Sequence, residues 1–400
     1  MRIFVVKPQE MLLSRIPGSP LLVSSAPGRV DFLNTHQDYK GLPVVPIAVN
    51  LRTYVAVLEE SENFEVESLN LLEEGREHRD SFPPRAPPLL PGKWWGNYLR
   101  ACVAALEQRL GVRLSRGFRA VIYSEVPVGS GLSSSAALEV AFLKAVDSFF
   151  NLGLPTEELA ETAFYAENTV AGIPCGRLDQ YASAYGGAIL LYPRPPVRVE
   201  RLSIGSLDFV VVDSGIRHSV ADIHPRRQAE LNQALSILLS QRDLPSSLRS
   251  KLRPDFSQTL WEEVSFSEVE PFLKRLPDHL ARRVAFTLLM HESTMRVISS
   301  LKRGSASLDM LAREVNLQHE LLRDYYDVSL PELEKMREAM LSSGALAVKL
   351  SGAGLGGSLF ALTRGEEREK AKVIEGAVRA GARKGWSLKP DEGARVEKAN

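Results

Sequence analysis

The sequence predicts two α+β domains with a boundary near residue 195. Three observations support this prediction. A chain of 400 residues is long enough for two domains of ordinary size. Its first half alternates short strand-like runs with helical runs, and its second half holds a long amphipathic stretch at 227–345. The segment Tyr192–Pro196, with the sequence YPRPP, is a plausible linker between the two halves.

In the first half, β-branched runs bounded by turn residues predict strands, and apolar residues at helical spacing predict helices. The strands are expected within residues 21–60 and at Phe118–Ser124. The helices are expected at Trp94–Leu110, Ser133–Leu152 and Thr156–Ala171. The Pro- and Glu-rich stretch Asn70–Pro91 predicts an exposed loop.

In the second half, a strand is expected at Phe209–Asp213, before the helical stretch. Residues Ala345–Leu350, a glycine-rich turn and Leu359–Leu362 then predict a strand, a loop and a strand.

Composition excludes several classes of protein. Forty-nine basic and 49 acidic residues give a formal net charge of zero, and no basic patch suggests nucleic-acid binding. Two cysteines do not make a disulfide scaffold and fit a reducing compartment. The N-terminal residues lack the apolar core of a signal peptide, and no run of about 18 apolar residues predicts a membrane span. We therefore expect a cytoplasmic protein without membrane partners.

The most informative local feature is a loop rich in glycine and serine, Pro127–Ala137, with the sequence PVGSGLSSSAA. Gly129 and Gly131 allow backbone N–H groups to approach an anion closely. Ser133, Ser134 and Ser135 follow at the predicted start of a helix, where unpaired N–H groups favour negative charge. A plain helix cap is the alternative, although three serines after Gly-x-Gly exceed what a cap requires. The loop lacks the lysine of a Walker A sequence.

A second glycine loop, Ser351–Gly357, has the sequence SGAGLGG. It matches the G-x-G-x-x-G pattern of dinucleotide sites, but a strand follows it where such a site needs a helix. A flexible turn is one alternative. Close approach of the backbone to a ligand is the interpretation that four glycines favour.

With Ala26–Val30 (APGRV), these two loops form three motifs whose order resembles that of the GHMP kinases. The detail is similar to galactokinases, which carry Gly-Arg-Val where mevalonate kinases carry Gly-Lys-Val. Four further segments resemble galactokinase sequences: Trp95–Tyr98, Gly172–Gln180 (GIPCGRLDQ), Ser214–Ser219 and Asn316–Leu333.

The resemblance implies a fold and an activity. Residues 1–195 would form a domain like ribosomal protein S5 domain 2, and residues 196–400 a ferredoxin-like domain. ATP would bind between them with Mg²⁺, and the γ-phosphate would pass to the anomeric hydroxyl of a sugar.

The resemblance also implies a role for each matching residue. Asp179 would be the base and Arg29 the group that orients it or neutralises phosphate charge. Ser135 and Glu167 would hold the metal ion. The ATP site would comprise Gly129, Gly131, Ser133, Ser134 and Ser135, with Trp95 and Tyr98 beside the adenine. Core packing is the alternative for these two aromatic residues. The sugar would meet Thr35, His36, Asp38, Gly176 and His224.

Three substitutions depart from the galactokinase pattern. Thr35 replaces a glutamate, His224 replaces a tyrosine, and Asp31 replaces an asparagine. A site built for one hydroxyl pattern discriminates against others. The substrate is therefore galactose or a different sugar, such as a hexuronic acid or a hexose altered at C6 or C2.

Other classes of function remain open on the sequence alone. They are a kinase for a non-sugar alcohol, a mevalonate-type isoprenoid kinase, and a non-catalytic sugar-binding regulator. Intact Arg29, Glu167 and Asp179 argue against the regulator. A monomer or a small homo-oligomer would serve any of them.

Overall fold

The structure is a computed structural model that describes residues 12, 14–16, 18–205, 207–217 and 220–397, without the side chains of 220–224. The described chain forms two sheets, whose strands are β1 (Leu22–Leu33), β2 (Val45–Ser61), β3 (Phe64–Ser68), β4 (Arg79–Phe82), β5 (Gly117–Ser124), β6 (Ala188–Tyr192), β7 (Arg198–Leu202), β8 (Phe209–Asp213), β9 (Ala347–Ser351), β10 (Ser358–Leu362), β11 (Lys384–Leu388) and β12 (Arg395–Val396).

Helices cover these sheets and fill the second half of the chain. They are α1 (Leu69–Glu73), α2 (Asn97–Leu110), α3 (Ser134–Phe150), α4 (Thr156–Tyr165), α5 (Leu178–Tyr185), α6 (Val220–Ser240), α7 (Ser246–Arg249), α8 (Phe266–Leu273), α9 (Asp278–Lys302), α10 (Leu308–Asp324), α11 (Pro331–Ser342) and α12 (Glu367–Arg379). One turn of π-helix, Ala166–Val170, continues α4.

The first sheet has eight strands, with the main order β12-β1-β2-β5-β3-β4. Strand β6 also pairs with β2, and β7 pairs with β6. Helices α2 to α5 pack on this sheet through an apolar core that includes Phe64, Phe118 and Phe142. The sheet takes in residues on both sides of position 195, so the domain boundary stays a proposal.

The second sheet has four antiparallel strands in the order β11-β8-β10-β9. One of its faces packs on helices α9 to α12. A further apolar cluster joins the two sheets, with Phe32 of β1 against Phe209 of β8 and Phe360 of β10. This packing places the end of β1 beside the glycine loop between β9 and β10.

The structure corrects the prediction of an exposed loop at Asn70–Pro91. Residues 69–73 are helical, and β4 pairs with β3 in the first sheet. Arg100 donates to both carboxylate oxygens of Asp80 at 2.9 and 2.7 Å, and Phe82 stacks on Phe64 at 5.4 Å. These partners are distant along the chain, which is why local composition did not reveal them.

Within the described residues, none of the helices is long and apolar enough to cross a membrane.

Candidate active site

The three motifs of the sequence meet at one point between the two sheets. The backbone N–H of Arg29 donates to the carbonyl of Leu132 at 3.0 Å. The Ser351 hydroxyl donates to the carbonyl of Gly131 at 3.3 Å. A Cβ atom at Gly131 would lie 2.4 Å from the Ser351 carbonyl oxygen, so only glycine lets the two loops approach this closely.

Arg29 connects the predicted phosphate loop, Pro127–Ala137, to the predicted base, Asp179. Its Nε and Nη2 atoms lie 2.8 and 2.6 Å from Oδ1 of Asp179, and its Nη1 donates to the Gly131 carbonyl at 2.6 Å. Arg29 is buried on β1, whereas the Asp179 side chain, in the first turn of α5, is 30% exposed. Among the described residues no hydrogen bond reaches Oδ2 of Asp179. One oxygen is therefore fixed by the guanidinium and the other is left for a substrate.

The serine-rich loop has the backbone geometry of an anion site. Gly129, Gly131 and Ser133 all have positive φ angles, of 68°, 78° and 60°. Helix α3 begins at Ser134, so its first N–H groups have no partner within the helix and face this loop. The Ser133 hydroxyl is buried without a hydrogen-bond partner, which suits a ligand oxygen. Ser135 lies in the first turn of α3.

The predicted metal ligands lie together beside this loop. Glu167 is buried on the π-helical turn and accepts a hydrogen bond from the Gln180 amide. Burial and the nearby Asp179 charge raise the pKa of Glu167 to about 7, and a hydrogen bond from Ser135 opposes this shift. A carboxylate beside a hydroxyl suits Mg²⁺, which binds through one or two protein ligands together with phosphate oxygens and water. No group of three or more acidic, His or Cys side chains in the described part of the chain forms a metal cage.

Glu139 adds a buried carboxylate one turn after Ser135. Both of its side-chain oxygens are buried without a hydrogen-bond partner. Burial and the Glu167 charge hold the pKa of Glu139 well above its usual range. Glu139 and Glu167 are thus held toward their neutral forms, and a bound cation would favour their charged forms.

Two residues of the predicted sugar site, Asp38 and Gly176, are in close contact. A Cβ at Gly176 would overlap the Asp38 carboxylate, at 1.6 Å from Oδ2. The same oxygen accepts a hydrogen bond from the Leu178 backbone at 3.4 Å. Burial, followed by the charges of Asp179 and Asp31, raises the pKa of Asp38 to about 6. Asp38 and Asp179 thus share one electrostatic environment, as expected for groups around one ligand.

Thr35 and His36 connect the loop after β1 to the second domain. The Lys349 ammonium lies 2.5 Å from the Thr35 hydroxyl. His36, in the left-handed region with φ 65°, places Nε2 3.0 Å from the Ala353 carbonyl and its ring 5.0 Å from that of Tyr326. Their side chains therefore join both domains at the predicted sugar site.

Trp95 and Tyr98 are half-buried at the start of α2. The Trp95 Nε1 is buried without a partner, and its ring lies 5.9 Å from that of Trp94. Burial and the charges of Glu167 and Glu139 raise the pKa of Tyr98, so Tyr98 lies near these two carboxyl groups. Their contact with adenine stays a prediction. The side chain of His224 lies outside the described residues.

Sequence reasoning missed Lys349, Glu139 and Gln180. A signal existed for the first two. Lys349 stands between Val348 and Leu350 in a strand that is buried throughout, and Glu139 interrupts an apolar helix. A charge inside an apolar element indicates a paired or functional group.

Comparisons with known proteins bear on the family and the fold of the chain. The model named GHMP kinases N terminal domain matches residues 97–187, and GHMP kinases C terminal matches 297–383. The galactokinase galactose-binding signature matches residues 14–58. Among solved structures, a Lactococcus lactis galactokinase complexed with galactose has a TM-score of 0.77 at 24% identity, with 94% of each chain covered. An L. major mevalonate kinase in complex with R-mevalonate has a TM-score of 0.63 at 21% identity, with 94% of this chain and 99% of that chain covered. These neighbours confirm the predicted two-domain GHMP kinase fold.

Closer relatives define the branch of the family. The galactokinase of Thermotoga neapolitana is 30% identical over 358 residues, which are 87% of this chain and 91% of that protein. The galactokinase of Chloroflexus aurantiacus is 31% identical over 371 residues, or 90% of each chain. The chain therefore belongs to the galactokinase family within the GHMP kinases.

Proposed function

We propose that this protein is an ATP-dependent sugar kinase that transfers the γ-phosphate to the anomeric hydroxyl of galactose or a related sugar. The observation that carries the proposal is the Arg29 side chain. It binds the Asp179 carboxylate and the Gly131 carbonyl of the phosphate loop at once. The group that receives a proton and the loop that receives a phosphate are thus held at a fixed distance from each other.

In the proposed reaction Asp179 uses Oδ2 to orient the attacking hydroxyl and to accept its proton. Phosphoryl transfer depends more on positioning and charge neutralisation than on covalent chemistry by the protein. Arg29 therefore acts mainly by fixing Asp179 and by placing positive charge beside the transferred group. We expect general-base help from Asp179 to contribute on the order of 10²- to 10⁴-fold.

ATP would be held by the backbone of residues 129–135 and by the first turn of α3, with Trp95 and Tyr98 beside the adenine. Ser135 and Glu167 fit Mg²⁺, and Glu139 adds a buried carboxyl group beside Glu167 that a cation would help to ionise. When bound, Mg²⁺ would neutralise the phosphate oxygens. A cytoplasmic location and a monomer or small homo-oligomer complete the proposal.

A different sugar is a second candidate because Thr35 stands where galactokinases carry a glutamate. Thr35 has no carboxylate to offer a sugar, and its hydroxyl is already bound by the Lys349 ammonium. Assays with a panel of sugars and mevalonate separate both candidates from a mevalonate kinase and from a non-catalytic sugar-binding regulator.

The test is coupled ADP release with ATP and Mg²⁺ against galactose, glucose, N-acetylhexosamines, hexuronates and mevalonate. We expect turnover of one hexose and a loss of at least about 100-fold in Asp179→Asn. Asp147→Asn is the control, since it makes the same change at a buried aspartate of α3 that lies about 18 Å along the helix from Ser135. No turnover of any sugar by the wild-type protein would refute the proposal.

A further inference from the structure

Asp31 is a buried carboxylate for which the proposed mechanism has no use. Its residue is 4% exposed, and its Oδ1 atom is buried without a hydrogen-bond partner. A buried acceptor left unsatisfied costs about 1–3 kcal/mol. Such groups in native proteins call for a specific explanation, and a ligand is one.

The strand geometry points the Asp31 side chain toward the sugar side. Residues 29, 30 and 31 of β1 pair in unbroken register with Ala48, Ile47 and Pro46 of β2. Side chains two positions apart on a strand project from the same face. Asp31 therefore lies on the face that Arg29 uses to bind Asp179. The charges that act on the Asp31 carboxylate are those of Lys349, Arg29 and Asp179, in that order.

Thr35 and Lys349 hold this carboxylate from the other side. The Lys349 ammonium donates to the Thr35 hydroxyl at 2.5 Å and to the Leu350 carbonyl at 3.1 Å. Burial raises the pKa of Asp31, and a hydrogen bond from the Thr35 hydroxyl, together with the charges of Lys349 and Arg29, opposes that rise. Because the Thr35 oxygen receives the lysine proton, its own hydrogen is free to point at Asp31. A cation, a hydroxyl and a carboxylate thus form a chain that ends at the unpartnered Oδ1.

We propose that Asp31 accepts a hydrogen bond from one non-anomeric hydroxyl of the sugar, and that Thr35 and Lys349 position it for this contact. The inference rests on the proposed function and names its substrate class, a neutral sugar with a free hydroxyl at that position. Asp31 thereby supplies a carboxylate acceptor at the sugar side, where Thr35 offers only a hydroxyl.

The charges around the sugar favour a neutral substrate over a hexuronic acid. The carboxylates of Asp31, Asp38 and Asp179 lie close together, with Arg29 and Lys349 as the cations near Asp31. Lys40 lies near Asp38, but burial lowers its pKa well below the usual range and so disfavours its charged form. Lys349 already binds the Thr35 hydroxyl, and Arg29 already binds Asp179 and the Gly131 carbonyl. A substrate carboxylate would add negative charge, and it has no hydrogen to donate to Asp31.

The test combines Asp31 variants with altered sugars. We would measure kcat/KM for the best hexose and for its analogues that each lack one non-anomeric hydroxyl. In the wild-type protein one analogue should be at least about 30-fold poorer, because a site built to bind a hydroxyl rejects its absence. In Asp31→Ala, kcat/KM for that analogue should be less than about threefold below kcat/KM for the hexose. The KM for ATP should stay within about threefold of the wild-type value.

Two further variants keep the test decisive if Asp31→Ala does not fold. Asp31→Asn preserves the shape and can donate as well as accept, so it should tolerate fluorine in place of the same hydroxyl, which the wild-type protein rejects. Lys349→Met should weaken discrimination at that hydroxyl alone, and Lys349→Arg should restore it. The control Asp147→Asn should keep the wild-type pattern.

Two results would overturn the inference. One is an unchanged pattern of discrimination in both Asp31 variants, and the other is a hexuronate as the best wild-type substrate. Either result leaves the kinase proposal intact. Absence of all sugar turnover by the wild-type protein, in contrast, refutes the proposed function itself.

Discussion

Replacing Gly176 by alanine should displace the Asp38 carboxylate. The added Cβ would lie 1.6 Å from Oδ2 and 2.3 Å from Cγ of Asp38. An ordinary contact needs about 3.4 Å or more, so Asp38 or the loop at 172–177 must move by almost 2 Å. Gly176 does not have a positive φ, and the change therefore adds a steric clash without backbone strain. A misplacement of about 1 Å can cost about 10²-fold in rate.

We expect kcat/KM for the sugar to fall at least about 100-fold in Gly176→Ala, with the KM for ATP within about threefold. The control is a double-mutant cycle with Asp38→Ala, which removes the carboxylate that clashes. In that background Gly176→Ala should cost less than about threefold, provided that circular dichroism shows both proteins folded. Losses that simply multiply in the double variant would refute the reasoning, because the clash would then lie elsewhere.

Two other changes test the site. Arg29→Lys removes the planar guanidinium that binds Asp179 and the Gly131 carbonyl together, so kcat should fall at least about 100-fold in steady-state assays. A loss under threefold would contradict the role of Arg29. Asp38→Asn should raise the free energy of unfolding at pH 7–8 by about 1–3 kcal/mol, measured in urea titrations. The reason is that folding raises the pKa of Asp38 from 3.8 to about 6 and so penalises its charged form, which asparagine does not have. The gain should be full above about pH 6 and vanish as the pH falls toward 3.8, and a gain that grows in acid would refute the assignment.

Much of the framework was readable from the sequence because it depends on local patterns. The strand Phe118–Ser124 was predicted to within one residue, and the helix at Ser133–Leu152 to within two residues of α3. The glycine loops were recognisable because their residue types suit close backbone approach. Their mutual contact at Gly131 and Ser351 joins positions 220 residues apart, which no local pattern encodes.

The parts that the sequence did not reveal depend on long-range pairing. Strand β7 continues the first sheet after the linker, and β12 returns from the end of the chain to pair with β1. The role of Lys349 depends on its contact with the Thr35 hydroxyl, which lies across the domain interface and 314 positions away along the chain. Asp31 was noticed as a departure from a family pattern, but its unpartnered oxygen is a property of the packed structure alone.

In the proposed reaction, Arg29 and Asp179 hold an anomeric hydroxyl in line with the phosphate loop. The most direct test is the ³¹P NMR spectrum of the product made from the best sugar and ATP. We predict a phosphate signal split by the anomeric proton, absent when Asp179→Asn replaces the wild-type protein. A phosphate on any other hydroxyl, or an equal yield from Asp179→Asn, would contradict the account.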